Sequence, residues 1–113
     1  MKRLISYLLV LIFWLIVTTA FGQIQVAQFN AGWNSTNSVN WVQDLQECKT
    51  ISYTDIGENP DLAKEHKIAV IPTIIIFKDD EEVARFQADL SFKMVATKKE
   101  VQEEIDNILM SDF

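Results

Sequence analysis

Residues 59–78 read NPDLAKEHKIAVIPTIIIFK, and the order of features in that stretch decides the fold. Asn59 can cap a helix, and Pro60 suits the first helical position, where a missing N–H is no loss. The spacing predicts a short helix through about His66. Ile68 to Phe77 (IAVIPTIIIF) is the most hydrophobic stretch beyond residue 22, and only Pro72 breaks it. Proline cannot donate to a sheet ladder, so a buried strand is expected to begin just after Pro72.

Upstream, Ile24 to Phe29 (IQVAQF) reads as a strand that runs into a loop at Asn30-Ala31-Gly32. Asn34, Ser35, Thr36 and Asn37 carry side-chain oxygens suited to capping. Val39, Val42 and Leu45 then recur on one face, which predicts a helix fading near Gln46. Lys49 to Ile56 (KTISYTDI) is β-branched and aromatic, and is expected as a strand ended by Gly57. Downstream, Asp79-Asp80 makes a polar turn, and Glu82 to Gln87 (EVARFQ) returns as the second strand of a hairpin. Residues 88–96 (ADLSFKMVA) either extend a strand or pack as a loop. Thr97 with Glu100 forms a capping box, followed by the apolar stripe Val101, Ile105, Ile108 and Leu109. The order β-α-β-α-β-β-α predicts an α/β domain: a four-stranded mixed sheet flanked by helices, with two right-handed parallel connections and a hairpin.

Ahead of this domain, Lys2 and Arg3 precede seventeen uncharged residues, 4–20, and then Ala20-Phe21-Gly22. A basic start, an apolar run and small residues at two cleavage-site positions make residues 1–22 a secretory signal, with residues 23–113 as the exported domain. The alternative is a retained membrane anchor through residues 4–20.

Cleavage would leave eight basic and sixteen acidic side chains, a net charge of −8. Such a surface repels nucleic acid and anionic lipid, and no basic cluster interleaved with aromatics offsets it. Membrane contact is expected only if the leading segment is uncleaved. A single cysteine, Cys48, excludes an internal disulfide, so stability must come from packing.

The order of elements, with residues 59–78 and with Phe29-Asn30-Ala31-Gly32-Trp33, resembles the thioredoxin family. The likeness spans most of residues 24–110, without the family's opening strand and helix. It implies a thioredoxin-like fold, a cis Ile71-Pro72 bond, and a groove along Trp33, Ile71, Pro72 and Thr73 where a polypeptide lies extended. The family's Cys-x-x-Cys would fall on Asn34-Ser35-Thr36-Asn37. An amide is neither a thiolate nor half of a disulfide, so conventional reductase activity is not expected. Gln28 stands where the family usually keeps a buried aspartate, and Tyr53 where it keeps a lysine.

The remaining candidates each have two readings. Cys48 is either a lone redox thiol or a partly buried small side chain, and its charged neighbours Glu47 and Lys49 make no electropositive pocket. His66 has no second His and no ordered carboxylate set at ligand spacing, which favours a structural role. Asn34-Ser35-Thr36 is either a glycosylation acceptor or a capping segment. Asp79 to Glu82 is either a cation site or a solvated turn. No metal or other cofactor is expected. The functional expectation is an exported accessory module that recognises an extended polypeptide beside Pro72. Its alternative is a thiol-disulfide protein acting through Cys48.

Overall fold

A computed structural model describes residues 23–111. The signal or anchor segment, residues 1–22, lies outside the described residues. Four strands, β1 (Ile24–Asn30), β2 (Thr50–Asp55), β3 (Thr73–Lys78) and β4 (Glu81–Gln87), form one mixed sheet in the order β2-β1-β3-β4. β1 pairs parallel with β2 and antiparallel with β3, and β3 pairs antiparallel with β4.

The alternation of β1 builds a core on each face of the sheet. Ile24 and Val26 point to one side with Ile74 and Ile76, beneath Val39, Val42 and Leu45 and beneath Val101 and Ile105 of α2 (Lys98–Met110). Ala27, Phe29 and Ile75 point to the other side, against Ile56, Ile68 and Phe77. The Thr97 and Glu100 capping box is formed as the sequence predicts. The two-residue hairpin turn places both Asp79 and Asp80 at positive φ, the conformation that matches the twist of the strands it joins.

Two expectations are corrected. Only one connection is parallel, because β3 runs antiparallel to β1. The link from β2 holds one short helix, α1 (Pro60–Glu65), and Thr73 at the start of β3 lies opposite Phe29 near the end of β1, so the chain re-enters the sheet from the end at which it left. In place of the first α-helix stand two 3₁₀ segments, Gly32–Asn37 and Asn40–Asp44. Val39, Val42 and Leu45 recur every three residues, which is the period of a 3₁₀ helix rather than the 3.6 of an α-helix.

α1 ends with Lys67 in the left-handed region, and the Ile68 N–H donates to the Ala63 carbonyl at 2.9 Å, as in a Schellman cap. Arg85 on β4 donates to the carbonyls of His66 and Lys67, fastening this helix end to the sheet. The chain then reaches the Ile71-Pro72 peptide bond, which is cis. Residues 88–96 form a loop with one isolated bridge, between Ala88 and Met94.

Candidate functional site

The candidate site lies where β1 ends, and its first component is a network of amides. Asn30, the last residue of β1, is fully buried, and Asn34 is 4% exposed. Asn34 Nδ2 donates to Asn30 Oδ1 at 3.0 Å and to the Phe92 carbonyl at 3.2 Å. Asn30 Nδ2 donates in return to the Asn34 carbonyl at 3.2 Å and to Ser38 Oγ at 3.0 Å. Asn37 Nδ2 completes the set by donating to Asn34 Oδ1 at 2.8 Å. Buried amides are costly unless paired, and this arrangement pairs them.

The side chains of residues 34–37 therefore do not cap. The N-cap of this segment is Ala31, without a side-chain bond, and Asn34 departs from helical geometry at φ −110° and ψ 19°. The glycosylation reading of Asn34 fails too, since its amide is buried and directed at two acceptors inside the fold. Gln28 plays a matching role one strand turn earlier. It is 3% exposed, accepts the Val39 N–H through Oε1 at 2.7 Å and donates to the Val39 carbonyl through Nε2 at 3.2 Å. It thus satisfies both polar groups of the residue that joins the two 3₁₀ segments. A neutral amide at this position holds backbone and has no proton to exchange in the ordinary pH range.

Trp33 is 71% exposed and meets the Phe92 ring edge-on, with centroids 5.1 Å apart at 87°. The two rings, with Ile56, Ile68, Val70 and Ile71, line an apolar cleft of about 210 Å³. Of the residues expected in the groove, Trp33 and Ile71 are brought together there. Pro72 and Thr73 are buried and do not line it. The Pro72 carbonyl accepts the Ala88 N–H at 3.0 Å, and Thr73 Oγ1 donates to the Val70 carbonyl at 2.6 Å.

No sequence signal marks Phe92 as a site residue, and its place is set by the turn around Asp89. Asp89 Oδ1 accepts from Ser91 N at 2.9 Å, Ser91 Oγ at 2.6 Å and Lys93 N at 3.2 Å. The Ser91 hydroxyl, with the Lys93 amide behind it, holds the Asp89 carboxyl below its usual range. This turn puts Phe92 at φ 64°, a conformation that an aromatic residue adopts only under external constraint.

Cys48 stands apart from this cleft. Lys49 N bonds the Ile24 carbonyl at the start of β1, roughly 20 Å of strand from Trp33. The thiol is partly buried against the core, and burial pushes its pKa up, reinforced by the negative charge of Glu47. A nucleophilic cysteine needs the opposite shift. His66 packs between two rings, 5.3 Å from Phe29 and 5.4 Å from Phe77.

An antiparallel hairpin beside a parallel pair, with a cis proline ahead of β3, defines the architecture. The fold is that of the thioredoxins. A mutant thioredoxin from Halobacterium salinarum NRC-1 superposes with a TM-score of 0.62 at 19% identity, covering 79% of this chain and 77% of its own. A complex of ferredoxin:thioredoxin reductase and thioredoxin f2 gives 0.59 at 25% identity, with 85% and 86% covered. Fasciola hepatica thioredoxin gives 0.54 at 20% identity, with 81% and 86% covered. No family model matches the chain, and no curated protein matches it in sequence. On this thioredoxin fold the lone cysteine, Cys48, lies away from the loop that follows β1, so a redox pair is absent.

Proposed function

We propose that this protein is an exported, redox-inactive thioredoxin-fold module that binds an extended polypeptide beside Pro72. The observation that carries this reading is the main chain of Ile71. It makes no hydrogen bond among the described residues, and it borders the apolar cleft under Trp33 and Phe92. An extended peptide laid across the cleft would gain main-chain bonds from Ile71, while one of its apolar side chains entered the cleft. Selectivity would come from the aromatic pair, which offers a hydrophobic wall and no charge. Export rests on the composition of residues 1–22, and Gln23 is the expected mature N-terminus.

The test is selection of peptides from a random library on the immobilised protein. Selected peptides should bind Cys48→Ala as they bind the unaltered protein. They should lose affinity at least tenfold to Trp33→Ala, and again when the peptide's own pairing amide is N-methylated. Equal binding to Trp33→Ala would remove the cleft from the function.

A further inference from the structure

The outer side of β2 is a bare sheet edge among the described residues, since β2 pairs only with β1. Its main-chain alternation follows from the ladder. The Ile56 N–H donates to the Asn30 carbonyl at 2.9 Å, and Asn30 lies opposite Asp55. The peptide groups of Thr50, Ser52 and Thr54 therefore face β1, and those of Ile51 and Tyr53 face outward. Neither Ile51 nor Tyr53 has another main-chain partner. Tyr53 is 46% exposed, and Thr50 and Ser52 are exposed beside it.

The opposite edge of the sheet is protected in the ways that discourage pairing. β4 carries Glu81, Glu82 and Arg85, and its ladder with β3 is irregular at Ile76/Phe77. β2 has no charge, proline or bulge between Thr50 and Thr54. Its charges lie only at the ends, Lys49 before the strand and Asp55 at its close, and they are of opposite sign.

The segment Lys49 to Asp55 (KTISYTD) is self-complementary about Ser52. Turned antiparallel upon itself, it sets Lys49 opposite Asp55, Thr50 opposite Thr54, Ile51 opposite Tyr53 and Ser52 opposite Ser52. Opposite charges, β-branched pairs and an aliphatic–aromatic pair are the cross-strand combinations that stabilise antiparallel strands. The register also satisfies the alternation. Ile51 and the Tyr53 of a second copy both turn their peptide groups outward, so they form a hydrogen-bonded pair, and the reciprocal pair forms on the other side of the axis. Such a contact carries about four main-chain hydrogen bonds and buries both tyrosines.

We propose that β2 is a self-association edge, on which a second copy of this chain pairs antiparallel about Ser52 to make one continuous sheet across the dimer. The surface is distinct from the cleft at Trp33, so either proposal stands without the other.

The test uses protein purified after expression of the full-length sequence. Sedimentation velocity should show a reversible, concentration-dependent dimer that Tyr53→Lys shifts to monomer while circular dichroism stays unchanged. Register is tested in a Cys48→Ala background. Ser52 lies on the axis in a non-hydrogen-bonded pair, with Cα atoms about 4.5 Å apart, so Ser52→Cys should oxidise to a covalent dimer. Thr50→Cys faces Thr54 of the second copy and should stay monomeric. A monomer at all concentrations overturns the proposal, as does a dimer that survives Tyr53→Lys or equal cross-linking through Thr50→Cys.

Discussion

Asn34 and Asn30 hold each other reciprocally: the side-chain amide of Asn34 donates to Asn30 Oδ1, and the side-chain amide of Asn30 donates to the Asn34 carbonyl. The end of β1 and the first 3₁₀ turn are thereby locked as a unit, and the second hydrogen of Asn34 extends the lock to the Phe92 carbonyl, 58 residues away. The loop after β1 thus serves as a structural joint that seats one wall of the cleft.

Truncating that joint should be costly. Asn34→Ala leaves Asn30 Oδ1, the Phe92 carbonyl and Asn37 Nδ2 without their partner, and a loss of about 2–3 kcal/mol is expected. Asn34→Asp should cost more above the carboxylate range, because a negative oxygen would then face two acceptors. Urea unfolding of both variants checks the order, and an Asn34→Ala midpoint equal to that of the unaltered protein would show the network to be idle.

The loop around Asp89 predicts a pH dependence. Its carboxyl is held below the usual range, so the bonds to Ser91 and Lys93 favour the folded turn above the ordinary carboxylate value. That contribution disappears as pH falls through the lowered folded value. Trp33 emission should therefore change at acid pH as Phe92 leaves its ring. Asp89→Ala should show the low-pH emission already at neutral pH, and Phe92→Leu should show no such transition.

The strands were legible because their signals are local. Pro72 marks where β3 can begin, and the Thr97 and Glu100 pair marks where α2 begins. The antiparallel entry of β3 was not legible, since it depends on which end of the sheet the chain returns to after α1, and no local signal marks that. The recurrence of Val39, Val42 and Leu45 has the 3₁₀ period of three, but over only two steps it departs little from one face of an α-helix. That Trp33 and Ile71 lie together was expected, and both line one cleft. Phe92 was not expected there, because a positive φ is normally signalled by Gly or Asn, and here it is imposed by the Asp89 turn.

Cys48 gives a prediction of the opposite sign from a redox thiol. Burial and Glu47 raise its pKa, so alkylation at neutral pH should be slower than for an unhindered thiol, and the pH–rate midpoint should lie above the ordinary cysteine value. The same shift makes the protonated thiol stabilising below the unfolded-state value, a contribution lost as pH rises through the folded value. Glu47→Gln should move the midpoint part of the way back, leaving the larger share, due to burial, in place. A midpoint below the ordinary value would return Cys48 to the list of catalytic candidates.

The geometry of residues 34–37 permits a disulfide to be built there. In a 3₁₀ segment, positions three apart eclipse one another, and the 2.8 Å bond between Asn37 Nδ2 and Asn34 Oδ1 shows that these side chains meet. Asn34→Cys with Asn37→Cys, in a Cys48→Ala background, should therefore form a disulfide on oxidation, seen by mass as the loss of two hydrogens. The amide network is lost in the exchange, so the reduced form should unfold at lower urea than the parent, and oxidation should recover part of the difference. Reductase turnover should stay far below that of a thioredoxin for two reasons. A six-residue segment with a kink at Asn34 offers little dipole to favour a thiolate, and Gln28, bound to both polar groups of Val39, cannot relay a proton. Gln28→Asp added to the pair should raise turnover while lowering stability, since a buried carboxylate would accept the Val39 N–H but turn a negative oxygen toward the Val39 carbonyl in place of the lost N–H donor. If the cysteines remain reduced under oxidant in a folded protein, positions 34 and 37 do not correspond to the motif, and the placement of the site at the end of β1 fails with them.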